Sequence, residues 1–162
     1  MTAGRRSHHC GFTLVELVIT VAIIGVLASA ALPLSSMVIQ RGKESELRSA
    51  LREIRSAIDA YKSAGERGNI IVSADASGYP PNLQVLIAGV ENAHSPTKSM
   101  IYFLRRLPRD PMFPDAAAKP EETWAFRSYA SPPDAPRSGE DVYDVHSLAS
   151  GKGLNGVPYR DW

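Results

Sequence analysis

The sequence predicts an α+β fold, in which a long N-terminal helix, transmembrane in its first half, packs on a small antiparallel sheet with Pro/Gly-rich loops. Three observations predict this fold. Residues 12–34 are almost purely apolar, residues 35–64 carry an apolar stripe with helical spacing, and residues 65–162 are dense in proline and glycine. We therefore expect a helix of about 50 residues followed by a small globular domain.

The apolar run of residues 12–34 predicts a transmembrane helix. About 23 helical residues cross a hydrocarbon core of about 30 Å. Arg5 and Arg6 precede the run without an acidic neighbour, so this end is expected in the cytoplasm and the rest of the chain outside the inner membrane. The alternative is a secretory signal cut among the small residues 28–31, for which the run is long.

Glu16 decides how this run is interpreted. A carboxylate at a bilayer centre costs about 2.5–3.5 kcal/mol on insertion scales, and less near the interface. It either reaches water at the interface or pairs with a cation. Cleavage between Gly11 and Phe12 would create such a cation, the new α-amino group of Phe12, four residues from Glu16. The two groups could pair within a chain or between adjacent chains, and removal of the leader would then switch on assembly.

The stretch from Gly11 to Glu16 resembles the processing site of type IV prepilins. In that family a prepilin peptidase cuts after the glycine and N-methylates the new first residue, which is Phe12 here. The resemblance makes residues 1–11 a cleaved leader. It also implies an assembly role for Glu16, which stands fifth in the mature chain as the family's glutamate does.

Gly25 and Pro33 also match the family pattern. Proline lacks an N–H and its ring crowds the carbonyl four residues back, so we expect the helix to kink or loosen between these two positions. A kink that only fits the helix to its neighbours is the simpler interpretation. The resemblance implies that this stretch loses helicity when filaments assemble.

Residues 35–64 predict an amphipathic continuation of the helix, ending near Gly65. Its apolar stripe is formed by Leu47, Leu51, Ile54, Ile58 and Tyr61. We expect this stripe to pack on the sheet, since it is too short for a coiled coil. The charged face consists of Lys43, Glu44, Arg48, Arg52, Arg55, Asp59 and Lys62. Glu44 with Arg48, and Arg55 with Asp59, are predicted pairs at four-residue spacing.

Residues 65–162 predict short elements between turns. A helix is expected over residues 82–90, with Asn82 as its cap and Gly89 near its end. Strands are expected over residues 123–130 and 141–147. One cysteine, Cys10, stands within the predicted leader, so no intramolecular disulfide is expected and the domain needs packing or a metal for its loops.

This half resembles the major pseudopilin, protein G, of the type II secretion system, and implies a pilin-like fold. The pieces that carry the resemblance are Gly78-Tyr79-Pro80, the turn Leu107-Pro108-Arg109-Asp110-Pro111, the strand to Tyr129, Asp144-Val145-His146-Ser147 and Trp162. The family's turn continues with Trp-Gly, whereas this chain has Met112-Phe113.

The resemblance also implies one structural calcium ion, bound by loop carbonyls and aspartates near the C-terminus. Asp144 stands at the family's first aspartate position. The next acidic position falls at Gly151 or Lys152, and a lysine would repel calcium. The acids that could replace it are Glu140, Asp141 and Asp161. The alternative is a solvated loop without a metal.

Other functional signals are weak. Gly151 to Gly156 matches G-x-G-x-x-G, but the few residues that follow leave no room for the helix of a dinucleotide site. The sequence has no HExxH and no GxSxG, so we expect no enzyme. A formal net charge of +1 argues against nucleic-acid binding.

The resemblance implies a structural subunit of a type II secretion pseudopilus, in the inner membrane with its C-terminal domain in the periplasm. The expected partners are further copies of the chain in a helical homopolymer, minor pseudopilins, the inner-membrane assembly platform, prepilin peptidase and membrane lipid. One alternative is a type IV pilin or minor pilin for adhesion, motility or DNA uptake. Another is a periplasmic domain that its helix merely anchors.

Overall fold

The computed structural model describes residues 12–162, and for residues 30–34 it describes the backbone alone. The predicted leader, residues 1–11, lies outside the described residues, and Gly11 with it. The chain divides into two compact units between Ile39 and Gln40. The predicted segment boundaries after residues 11, 34 and 64 stay predictions.

One long helix, α1, spans Leu14–Glu66 and confirms the predicted helix and its end near Gly65. The chain leaves α1 through Gly68, whose φ of 72° lies in the left-handed region that glycine adopts without strain. The N–H of Gly68 donates to the carbonyl of Gly65 at 2.9 Å. The helix is uninterrupted at Gly25 and Pro33, and the kink between them stays a prediction.

The large apolar side chains that the structure describes between residues 12 and 29 are exposed, as Val15 and Ile24 illustrate at 64% each. Among the residues that the structure describes, no helix has both the length and the hydropathy required to cross a membrane.

The predicted apolar stripe of α1 is buried in the second unit, with Leu47 and Ile54 at 0% exposure. It shares one core with Leu86, Trp124 and Val145. The stripe was predicted to pack on the chain's own sheet. Of the residues that share its core, Trp124 and Val145 lie on paired strands and Leu86 lies on a short helix.

Two antiparallel pairs of strands form where one small sheet was predicted. β1 (Val90–Glu91) pairs with β2 (Met100–Ile101), and β3 (Trp124–Arg127) pairs with β4 (Asp144–Ser147). Strands were predicted over residues 123–130 and 141–147, and β3 and β4 are shorter than these ranges. The β1–β2 pair was not predicted, because two residues are too few to show alternation.

The predicted helix after Asn82 is present but shorter. α2 spans Gln84–Ala88. Oδ1 of Asn82 accepts the N–H of Val85 at 3.0 Å, as expected of a capping side chain. Gly89, with a φ of 82°, ends the helix.

Candidate functional site

The predicted assembly residue, Glu16, lies in the first turn of α1. Thr13 precedes the helix, and its Oγ1 accepts the N–H of Glu16 at 3.3 Å. The carbonyl of Thr13 accepts the N–H of Leu17 at 3.2 Å. Thr13 therefore caps the helix, and the free N–H groups of this first turn favour the negative charge of Glu16. Sequence reasoning missed this cap, although Thr-x-x-Glu ahead of an apolar run is its usual signature.

Phe12 also precedes α1, and its side chain is exposed. A cut at the amino side of Phe12 would leave the whole of α1 on the mature chain. The cleavage and methylation predicted for Gly11 and Phe12, like the assembly role of Glu16, stay predictions.

Between this turn and Ser29, the residues of α1 are almost all apolar. Thr20 and Ser29 turn their hydroxyl groups back onto the helix, donating to the carbonyls of Leu17 at 2.9 Å and Val26 at 2.7 Å. Glu16 is the only charged residue between positions 12 and 40. A single carboxylate thus stands at the start of an exposed apolar helix.

The pieces that carry the pseudopilin resemblance contact one another in the globular unit. The indole N–H of Trp124 donates to the carbonyl of Pro108 at 2.9 Å. The carbonyl of Pro80, in the Gly-Tyr-Pro piece, accepts the N–H of Val142 at 2.8 Å. Each of these segments is a weak sequence signal by itself, and the hydrogen bonds show that they belong to one arrangement of turns and strands.

Asp144, the predicted metal ligand, forms an ion pair with α1. Its Oδ1 lies 2.7 Å from Nε of Arg55, and the side chains are 31% and 37% exposed, respectively. Nη2 of the same arginine donates to the main-chain oxygens of Val145 at 3.1 Å and Trp162 at 2.8 Å. Arg55 was predicted to pair with Asp59 on its own helix. This prediction was wrong, because the fold brings β4 and the C-terminal residue Trp162 to Arg55, and their oxygens accept its hydrogen bonds instead.

Two of the acids that could complete a calcium site, Asp141 and Asp161, bind other partners. Asp141 accepts the hydroxyl of Ser128 at 2.5 Å and the N–H of Tyr129 at 3.0 Å. Burial raises the pKa of Asp141, but these hydrogen bonds outweigh burial and leave the pKa below its usual range. Asp161 pairs with Arg160 at 3.5 Å. Within the described part of the chain, no three His, Cys, Asp or Glu residues are grouped so that they could hold a metal ion.

Glu44 belongs to the predicted charged face, but it is buried at 6% exposure. Its Oε1 accepts the N–H of Leu154 at 2.8 Å, the hydroxyl of Tyr159 at 3.2 Å and the amide of Gln40 at 3.1 Å. Glu44 was predicted to pair with Arg48, four residues along the helix. This prediction was wrong, because Leu154 and Tyr159 cover Glu44 and donate hydrogen bonds to its carboxylate.

The glycines of the G-x-G-x-x-G match serve packing and turn geometry. A Cβ at Gly151 would lie 3.0 Å from the ring of Tyr159, and one at Gly153 would lie 2.4 Å from Cζ2 of Trp162. Gly156 has a φ of 80°. The segment forms a loop, and the three-residue 3-10 helix Tyr159–Asp161 follows it.

Comparison with known proteins agrees with these features. The family model described as the prokaryotic N-terminal methylation motif matches residues 6–32. A type II secretion system core protein G from Klebsiella michiganensis is 31% identical over 111 residues, covering 66% of this chain and 70% of that protein. The protein of the same name from Escherichia coli K12 is 29% identical over 136 residues, covering 81% and 86%.

A type IV major fimbrial protein FimA from Dichelobacter nodosus is 43% identical over 58 residues, covering 36% of this chain and 37% of that protein. This likeness is higher in identity but shorter than the likeness to the secretion proteins. No solved structure matches the chain.

Proposed function

Because this chain belongs to the family of the type II secretion system core protein G, we propose that it is a structural subunit of a type II secretion pseudopilus and performs no chemistry itself. It polymerises from the inner membrane and drives the export of folded proteins. The observation that carries the proposal is Glu16, a lone carboxylate in the capped first turn of an exposed apolar helix.

Leader removal is the proposed trigger of assembly. The cut before Phe12 creates an α-amino group, and the Glu16 carboxylate of an adjacent subunit pairs with it. In an apolar helix bundle such a pair is weakly screened, so it selects the register of the incoming subunit. In the precursor Phe12 has no free α-amino group, so this pair cannot form.

The same proposal gives the location and the partners. Residues 12–34 anchor the subunit in the inner membrane, and the globular unit lies in the periplasm. Prepilin peptidase processes the chain, and other copies of the chain, minor pseudopilins, the assembly platform and membrane lipid contact it. Identical head-to-tail contacts that do not close into a ring yield an open helical filament.

Two measurements test the proposal. Mass spectrometry of the mature protein should find N-methylated Phe12 as the first residue, and an N-terminus beyond residue 30 would overturn the processing scheme. Deleting the gene should abolish secretion of folded proteins and leave surface motility unchanged. Loss of motility with normal secretion would instead support a type IV pilin, the second candidate, which the shorter likeness to FimA favours.

A further inference from the structure

Four polar side chains on one face of α1 bind the C-terminal segment of the chain. We call this set the polar row, and it consists of Gln40, Glu44, Arg48 and Arg55. Intervals of four, four and seven residues keep its members on the same side of a helix. Every member contacts residues 144–162, so the row determines where this segment lies.

Arg55 binds three oxygen atoms of the kinds that calcium takes as ligands. Its guanidinium contacts one carboxylate, that of Asp144, and two main-chain oxygens, those of Val145 and Trp162. Calcium in proteins takes the same ligand types, carboxylate and carbonyl oxygens. A guanidinium supplies a permanent positive charge and several donors in a fixed plane, so it can serve these acceptors without an ion. A divalent cation at Asp144 would meet that charge at close range.

Glu44, near the other end of the row, has the opposite polarity, because it accepts hydrogen bonds from the C-terminal segment. The N–H of Leu154 and the hydroxyl of Tyr159 both donate to Oε1 of buried Glu44. The amide of Gln40 donates to the carbonyl of Lys152 at 3.4 Å and to the hydroxyl of Tyr159 at 3.0 Å. The loop thus directs donors toward a helix carboxylate, whereas a calcium loop gathers oxygens around a cation.

Arg48 completes the row. Its Cζ lies 4.3 Å from the centroid of the Trp162 ring, within the range of a cation–π contact. The Trp162 side chain therefore packs under one arginine while its main-chain oxygen binds another.

We propose that Arg55 takes the place of a structural calcium ion in this chain, and that the polar row holds the C-terminal loop without a metal. Asp144, which was predicted to bind calcium, binds the guanidinium of Arg55 instead. The next acidic position is filled by Gly151 or Lys152, which fits a loop that no longer needs to bind a metal.

Thermal unfolding of the full chain in detergent tests the proposal. The melting temperature should be the same, within about 1 °C, in excess EGTA and in millimolar calcium chloride, since a ligand that does not bind the native state does not stabilise it. A saturated calcium site would raise the melting temperature by roughly 5 °C or more. Such a rise in the wild-type chain would overturn the proposal.

Substitution of the arginine gives the second readout. Arg55→Leu should lower the melting temperature by roughly 3–10 °C in either buffer, and Arg55→Lys should lower it less, because it keeps the charge but not the forked donors. Arg52→Leu, at an exposed position of the same helix, is the matched control and should change little. Equal effects of the Leu substitutions at positions 52 and 55 would contradict the proposal.

The wild-type comparison of EGTA with calcium remains decisive if the Arg55 variants do not fold. The readout is the stability of the subunit in detergent, so it does not depend on secretion or filament formation. A failed secretion assay with a calcium-insensitive fold would therefore count against the proposed function alone.

Discussion

The hydroxyl of Ser147 donates a hydrogen bond of 2.5 Å to Oδ2 of Asp110, and both residues are buried, at 2% and 0% exposure. The other carboxylate oxygen of Asp110 accepts the N–H of Met112 at 2.7 Å. One buried carboxylate thus joins the proline-rich turn to the end of β4. It does so because buried acceptors must find donors, and these are the donors within reach.

Asp110→Ala should reduce the free energy of unfolding by about 2–4 kcal/mol, because it leaves the buried Ser147 hydroxyl and the half-buried Met112 N–H without an acceptor. Urea unfolding of the subunit in detergent measures it. Asp134→Ala, at an exposed aspartate, is the control and should stay within about 0.5 kcal/mol of wild type. Equal losses for the two variants would show that the buried contacts contribute nothing.

Charge removal at Glu16 should block assembly, whereas loss of the helix cap should not. Glu16→Gln keeps the size of the side chain and much of its hydrogen bonding but cannot neutralise the Phe12 amine. The amount of pelleted filament should therefore fall by about tenfold or more, which corresponds to a loss of about 1.4 kcal/mol per contact. Thr13→Val removes the hydroxyl cap and keeps the carboxylate, and it should assemble at close to the wild-type level.

The comparison of these two variants separates the roles of the first turn. If Thr13→Val alone stopped assembly, the cap would matter and the charge would not. Mass spectrometry of each variant must show normal processing, so that failure to assemble is not failure to be cut.

His146 should make the globular unit sensitive to mild acid. Burial is the largest cause and lowers the pKa of His146 below its ordinary value of 6.5. The carboxylates of Asp144 and Asp161 oppose this shift, and the charge of Arg55 adds to it. The native state thus favours the neutral ring, and the unfolded chain takes up a proton first as the pH falls. The free energy of unfolding should therefore fall below about pH 6.5, with a slope of at most about 1.4 kcal/mol per pH unit, and this residue should contribute no slope above it.

Urea unfolding between about pH 5 and 8 checks this prediction, because Asp141, whose pKa is lowered, loses its contribution only in stronger acid. His146→Gln should flatten the curve in this range. His94→Gln, at an exposed histidine, should leave it unchanged. A wild-type curve that is flat from pH 5 to 8 would contradict the prediction.

Two glycine substitutions should act in opposite directions. Gly153→Ala puts a Cβ 2.4 Å from the Trp162 ring, so it should destabilise the subunit by about 1–3 kcal/mol through overpacking. Gly42→Ala lies inside α1 with no atom within 4 Å of the new Cβ, and it should stabilise by about 0.5–1 kcal/mol. Thermal melts of the subunit in detergent measure both, and a Gly153→Ala variant as stable as wild type would rule out the close contact.

Local patterns were enough to predict the long helix, its buried stripe, α2 and the β3–β4 pair. Each is encoded by spacing within a few turns or strands, as with Leu47, Leu51 and Ile54 on one helix face. The β1–β2 pair left no such pattern. Of the candidate site, Glu16 and Phe12 were found from sequence because a charge in an apolar run and a glycine before it are local signals.

An apolar N-terminal helix that carries one carboxylate at its start and continues into an amphipathic helix is encoded in the local pattern of residues. What the charged face of that helix contacts depends on how the rest of the chain folds against it. Glu44 and Arg55 are indistinguishable in sequence from their exposed neighbours, and their partners, Leu154 and Asp144, lie 110 and 89 positions away. Whether a charged side chain is buried or solvated depends on which distant segment packs against it. Helical periodicity carries no information about that packing.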